Sequence, residues 1–356
     1  MNGHARLQPE DLPDRIDRPS AWTAADLRAD PDAWLYELTD DDIADLESAA
    51  TYFQSLDMEL GQIRPECFPL RHFDGHLAML SGKLLEGIGV ELLRGLPTAN
   101  WSTLMAATVF CGIGAHLGSA RSQNADGHIL GHVRDVGADA EDPATRIYQT
   151  NARQTFHTDS TDVVGLLCLR PAREGGQSQL VSAESIYNRM RECSPELLPL
   201  LFEPIATDRR GEIPPGEKPY MTIPPLSWHE GLLTVFYQRQ YIDSAQRFPG
   251  AGRHSAELVE ALDHFDRLAN DPELSFEMQL ETGDMQFVYN HALLHDRTSF
   301  TDWPDLERRR HLLRLWLSMP GDRALPECFR QRYGSIEIGN RGGIVMDHTR
   351  LCVPLD

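Results

Sequence analysis

Phe156-His157-Thr158-Asp159 places an imidazole and a carboxylate two residues apart. On a β-strand that spacing turns both side chains to one face. Such a pair can share a divalent metal. One further imidazole, His295, would complete a 2-His-1-carboxylate face. That donor set leaves coordination positions open for small molecules and suits a non-haem Fe(II) centre.

The surroundings of His295 support the grouping. Gly283-Asp284 reads as a turn, and Met285 to Tyr289 as an apolar strand running into Asn290-His291-Ala292-Leu293-Leu294-His295. His295 is thus expected just past a core strand. Arg308-Arg309-Arg310-His311-Leu312-Leu313-Arg314-Leu315-Trp316 reads as another strand, with Arg310, Leu312, Arg314 and Trp316 on one face. Two arginines on an apolar strand face are costly unless an anion or carboxylate partners them. Gly175-Gly176-Gln177-Ser178 is a tight turn able to bring a hydroxyl near the same place. His291 rivals His295 but reads as a structural histidine. Asp162 rivals Asp159 but falls on the opposite strand face. Arg308 and Arg309 read as solvated or structural. Arg314 fits equally a substrate anion or an internal carboxylate.

Positioning these groups requires an α+β chain. Residues 1–60 carry helix starts at Thr23-Ala-Ala-Asp26 and Thr39-Asp-Asp-Asp42 and read as surface helices. Residues 73–86 and 101–115 read as helices, with a strand at 89–95 between them. Short β-like runs follow at 128–136, 146–151, 163–170 and 178–182, separated by Gly and Pro turns. Residues 184–203 and 254–269 read as helices. The Pro-rich stretch 204–230 reads as a loop with edge strands over the mouth of a barrel, followed by a strand at 233–237. Three apolar strands are expected at 275–280, 285–289 and 310–318, and an extended Gly-rich tail at 330–356. With no repeat or linker, residues 1–356 read as a single domain. It would comprise a mainly helical part to residue 85, a sandwich or barrel over 86–320 with an insertion around 204–272, and a tail from 321.

Composition narrows the function. The 356 residues are 41% hydrophobic, enough for a full core, and carry a formal net charge of −21. That charge disfavours nucleic acid and anionic membrane surfaces as partners. The six cysteines are scattered without a C-x-x-C pair, as expected for free buried thiols in a reducing compartment. The amino terminus has no signal-peptide pattern, and the uncharged stretch 95–120 contains polar residues and a proline. A cytoplasmic protein without a membrane span is the expectation. Homo-oligomerisation stays open.

The segments FHTDSTDVVGLLCL (156–169), GGQSQLVS (175–182), GDMQFVYNHALLH (283–295) and RRRHLLRLWL (308–317) together resemble the taurine dioxygenase/2,4-dichlorophenoxyacetate dioxygenase-like family of Fe(II)- and 2-oxoglutarate-dependent oxygenases. Their order and spacing match over roughly residues 85–320. The resemblance implies a double-stranded β-helix, or jelly roll, with helices packed around it. It implies His157, Asp159 and His295 as iron ligands, and Arg310 as the clamp on the distal carboxylate of 2-oxoglutarate. Ser178 stands where many members carry a cosubstrate-binding Thr. Arg314 matches an arginine that some members use on an anionic substrate.

The implied reaction consumes 2-oxoglutarate and O₂, releases succinate and CO₂, and oxidises an unactivated C–H by hydroxylation or a related outcome. A small anionic or amino-acid-like substrate is expected. Arg314, Arg239, Tyr220 and Asn151 are candidates to bind it, with Tyr241, Tyr148 and Gln123 nearby. The rival readings are a metal-binding jelly-roll sensor without turnover and a metal-dependent hydrolase. A sensor has no need of a cosubstrate clamp, and a hydrolase needs a base beside a metal-bound water.

Overall fold

The computed structural model describes residues 9–139, 145–346 and 349–355. Two sheets face each other as a jelly roll. The larger has seven strands, in the order Leu35–Glu37, Val90–Arg94, Met285–Tyr289, Val163–Arg170, His311–Ser318 and Ser119–Ala120, with Leu130–Val133 also paired to His311–Ser318. The smaller has four: Phe276–Met278, Ser178–Ser182, Leu293–Arg297 and Gln154–His157. All pairings are antiparallel except that of Leu35–Glu37 with Val90–Arg94.

Strand alternation decides which side chains enter the space between the sheets. In Ser178–Ser182, Leu180 joins the inter-sheet core and Val181 the outer cluster under the helices; Leu293 and Leu294 divide in the same way. Phe156 packs outward, so its neighbour His157 turns inward. In His311–Ser318, Leu315 and Leu317 meet the helix Thr103–Leu117, where a Cβ at Gly114 would lie 2.8 Å from Leu315. The intervening Leu312, Arg314 and Trp316 face the interior cavities, as their spacing predicts.

Several elements differ from expectation. His295 lies on its own strand, Leu293–Arg297, rather than past the end of one. The run 146–151 is a 3₁₀ turn, Ile147–Gln149, rather than a strand. The helix expected over 184–203 ends at Cys193 before Pro195, and a 3₁₀ segment Leu198–Phe202 resumes. The Pro-rich stretch folds into two hairpins, Ile205–Asp208 with Tyr220–Ile223 and Leu226–His229 with Leu232–Val235. The amino-terminal part is more deeply packed than surface helices would be. The helix Asp40–Ser55, capped reciprocally by Thr39 and Asp42, buries Leu46, Ala49, Ala50 and Phe53 in the main core. All six cysteines are free, but only Cys67, Cys111 and Cys168 are buried. Among the described residues no helix is long and apolar enough to cross a membrane.

The expected extended tail contains the short helix Arg330–Tyr333 and is pinned by Arg341, which is fully buried. Arg341 donates from Nε to Asp162 Oδ1 and from Nη2 to Asp322 Oδ2, each at 2.8 Å, and from Nη1 to the Arg323 carbonyl. His291 Nε2 lies 2.9 Å from Asp162 Oδ1, and Tyr289 donates to Asp322. The rivals His291 and Asp162 are therefore consumed in a network whose cation is an arginine. Arg341→Met should leave two buried carboxylates without that cation and cost about 3–5 kcal/mol. Urea denaturation of both proteins checks this, and an unchanged midpoint would show that the pin is dispensable.

Candidate active site

His157 and His295 are direct cross-strand partners, and their rings lie 4.2 Å apart between centroids. Asp159 follows in the turn after the His157 strand, its backbone N–H held by Asn290 Oδ1 at 3.2 Å. The Nε2 of His157 is 3.9 Å from Asp159 Oδ1, and that of His295 is 3.8 Å from Asp159 Oδ2. One ligand atom from each of the three residues falls within 4.8 Å of the others. A second cluster of this kind, Asp162, His291 and Asp322, is the one bridged by Arg341.

The protonation states suit a metal. Burial, and then the neighbouring His157, push His295 down to about 3. Burial also lowers His157. His157 Nδ1 lies 2.8 Å from the Thr155 carbonyl and so carries the proton, which leaves the Nε2 lone pair facing the site. That lone pair receives the Gln154 amide at 2.8 Å. Burial alone would raise Asp159, but Arg314, His295, His157 and the Trp316 N–H together bring it to about 2. The result is two neutral imidazoles and one carboxylate, the forms that coordinate Fe(II).

Arg314 and Trp316 hold Asp159 in place. Trp316 Nε1 donates to Oδ2 at 2.9 Å, and Arg314 Nη1 approaches the same oxygen at 3.3 Å. Arg314 Nε donates to Gln123, and its guanidinium lies 4.8 Å from the Tyr148 ring centroid. Of the two roles open to Arg314, the internal carboxylate is the one present, although the side chain also lines both adjoining cavities.

One cavity is lined by His157, His295, Ser178, Gly176, Arg297 and Arg310. Arg310 is buried, and its Nη1 has no hydrogen-bond partner among the described residues. Burial pulls its guanidinium down to about 10, so it remains cationic at neutral pH. Gly176, at φ +73°, permits this approach, since a Cβ there would be 3.2 Å from Arg310 Nε. Ser178 lines the cavity, but its hydroxyl donates to Gln286 Oε1 at 2.9 Å.

Three substrate candidates are not brought to either cavity. Arg239 spends its donors on Asp243, Asp263 and Asp266 along the adjoining helices. Tyr220 donates its hydroxyl to the Gly250 carbonyl and packs against Phe248. Asn151 is exposed in a turn, where its carbonyl receives the Phe300 N–H. Arg239 and Tyr220 are held by partners on other elements, which strand spacing does not reveal. Tyr148 and Tyr241 do line cavities, whereas Gln123 serves Arg314. Arg308 sits over Trp303, and Arg309 donates to the Trp303 carbonyl, both structural as expected. Residues that spacing missed are Gln154, Arg297, Arg146 and Arg332. Arg297 follows His295 by two on its strand, a signal that was available.

Residues 58–316 match the model of the taurine catabolism dioxygenase TauD, TfdA family. The chain belongs to this family. The match begins upstream of residue 85, so part of the amino-terminal region carries family signal too. FR-33289 synthase of Streptomyces rubellomurinus is 33% identical over 311 residues, covering 86% of this chain and 91% of the relative. The taurine hydroxylase-like protein SAT17 of Stachybotrys chartarum is 31% identical over 314 residues, covering 85% and 80%. Among solved structures, asparagine oxygenase with Fe(II), hydroxyasparagine and succinate superposes with a TM-score of 0.61 at 18% identity, covering 80% of this chain and 93% of that one. The fold is thus shared with an oxygenase of distant sequence. The family places this chain among the Fe(II)- and 2-oxoglutarate-dependent dioxygenases.

His157→Ala, Asp159→Ala and His295→Ala should each abolish stoichiometric Fe(II) binding in an anaerobic titration, while His291→Ala should retain it with reduced thermal stability. Retention by His295→Ala together with loss in His291→Ala would invert the ligand assignment. Arg314→Gln should weaken metal affinity by about 10–100-fold, because it releases one side of Asp159. Unaltered affinity would leave Arg314 without a role at the metal.

Proposed function

We propose that His157, Asp159 and His295 hold Fe(II), that Arg310 receives the distal carboxylate of 2-oxoglutarate, and that the adjoining cavity presents a small anionic or amino-acid-like substrate for C–H oxidation. The observation that carries this is the buried Nη1 of Arg310, without a hydrogen-bond partner among the described residues, in the same cavity as both histidines. A desolvated cation without a partner is costly, and a carboxylate matched to its fork relieves that cost. This favours the oxygenase over a sensor or a hydrolase, neither of which uses such a clamp.

Bound Fe(II) would supply the redox chemistry that couples decarboxylation of 2-oxoglutarate to activation of O₂. The protein's own groups orient the reactants. Arg310 fixes one end of the cosubstrate and Phe300 backs its guanidinium at 5.1 Å. Ser178 can turn its hydroxyl from Gln286 toward the same carboxylate. Arg314 and Trp316 orient Asp159, and the apolar Val164, Leu166, Leu280 and Leu312 line the walls against water. For the substrate, the aromatic and arginine lining of the neighbouring cavity supports a small polar anion.

Arg310→Lys keeps charge but loses the fork. It should weaken 2-oxoglutarate by about 1.5–3 kcal/mol, or roughly one to two decades. Succinate formation against 2-oxoglutarate concentration, screened with amino acids and small acids as stimulants, measures this. An unchanged 2-oxoglutarate requirement in Arg310→Ala would remove the clamp from the mechanism.

A further inference from the structure

The cavity lined by Asp159, Arg314 and Trp316 is also lined by Arg146, Arg332 and Tyr241. That wall joins segments distant in sequence. Arg146 precedes the 3₁₀ turn Ile147–Gln149, Arg332 lies in the short helix Arg330–Tyr333, and Glu212 comes from the turn between the strands Ile205–Asp208 and Tyr220–Ile223.

Positive charge outnumbers negative there. Arg332 is 8% exposed, donates from Nε to Ser160 Oγ at 2.6 Å, and holds Nη2 3.9 Å from Glu212. Arg146 Nη2 forms a close, buried ion pair with Glu212 Oε2, the same oxygen that Arg332 Nη2 approaches. Arg209, 3% exposed, adds its field to Arg332; among the described residues its Nε has no hydrogen-bond partner, and its Nη2 reaches the exposed Glu217. The Arg210 guanidinium lies 5.1 Å from the Tyr241 ring centroid and donates from Nη2 to the Thr145 carbonyl, its Nε without a hydrogen bond among the described residues. Among the described residues, Arg146 and Arg332 thus share one buried carboxylate, Glu212. A purely structural ion cluster is stable when its charges balance and its donors are satisfied. Here two guanidiniums lining the cavity share one carboxylate among the described residues, so the charges do not balance.

We infer that Arg146 and Arg332 form a subsite for an oxyanion carried by the substrate, with Glu212 as the internal carboxylate that the oxyanion displaces. The inference rests on the reading of His157, Asp159 and His295 as the iron site, because that reading makes this cavity the substrate cavity. The subsite anchors the far end of the substrate, so that the end near Asp159 is the one oxidised. Glu212, once displaced, is available to a cationic group on the same molecule.

The probes are inorganic phosphate, sulfate and acetate, titrated calorimetrically into anaerobic protein saturated with Fe(II) and 2-oxoglutarate, so that the Arg310 clamp is already filled. At least one should bind. A preference for phosphate or sulfate over acetate identifies a tetrahedral oxyanion, and the reverse a carboxylate. Arg146→Gln and Arg332→Gln should each weaken binding by about 10–100-fold. Glu212→Gln should tighten it by removing the competing charge, an effect that misfolding cannot mimic. Thermal melts and Arg332→Lys accompany the series. The proposal is overturned if none of the three anions binds, if the arginine variants bind like wild type, or if Glu212→Gln weakens binding. Loading of iron and cosubstrate is read separately by visible absorbance, and the titration is repeated on metal-free protein. A protein that fails to load iron but binds the anion through Arg146 and Arg332 therefore sinks the iron reading and not the subsite.

Discussion

The site depends on one register. His157 and His295 face each other across adjacent antiparallel strands, and a slip of one residue would send either imidazole into the apolar cluster beneath the helices. What fixes that register is the alternation around it. Phe156 and Leu294 are committed to the outer cluster with Val181, and Leu180 and Leu293 to the inner core. The hydrophobic partition of the smaller sheet and the convergence of the two histidines are therefore one constraint. Asp159 joins them because its turn is held to Asn290, the residue that follows the strand Met285–Tyr289 of the larger sheet.

Charge is handled differently at the two clusters of potential metal ligands. At Asp162, His291 and Asp322 the fold supplies its own cation, Arg341, with three hydrogen bonds to fixed acceptors. At His157, Asp159 and His295, Arg314 and Trp316 engage Asp159 Oδ2 while the two imidazole Nε2 atoms lie 3.8 and 3.9 Å from the carboxylate. The first cluster is closed, and its network ties the carboxyl-terminal segment to the loop that carries Asp159. The second is open toward two cavities. An acidic chain of net charge −21 concentrates arginines around those cavities, and among the described residues Arg297 and Arg310 each keep a nitrogen without a hydrogen bond. In a desolvated interior such groups are tolerated where an anion completes them.

Much of this was legible in the chain. The strand alternation of Leu312, Arg314 and Trp316 is a local pattern that the structure realises, whereas Asp159 lies in the turn past the His157 strand rather than on it, and Gly175 pairs with Phe300 in a short strand rather than forming a tight turn. Periodicity found the strands 163–170, 178–182 and 285–289 to the residue, because buried apolar runs between turn residues leave little freedom. It misjudged 146–151, where Ile147 and Tyr148 look strand-like but close a 3₁₀ turn, and it missed Leu293–Arg297 as a strand because polar site residues interrupt its apolar pattern.

The sequence by itself determined the donor types, the family resemblance and the face on which Arg310 and Arg314 stand, because these follow from residue identity and period-two geometry. Only the tertiary structure decided which arginines meet which anions. Arg239 is neutralised by aspartates on neighbouring helical turns, Arg341 by Asp162 and Asp322 far away in sequence, and Arg314 by Asp159. Arg146, Glu212 and Arg332 converge from three separate segments without any spacing that announces them. Ion pairing acts through space over a few ångströms and is blind to chain order, so its outcome is set only when the sheets and loops have closed.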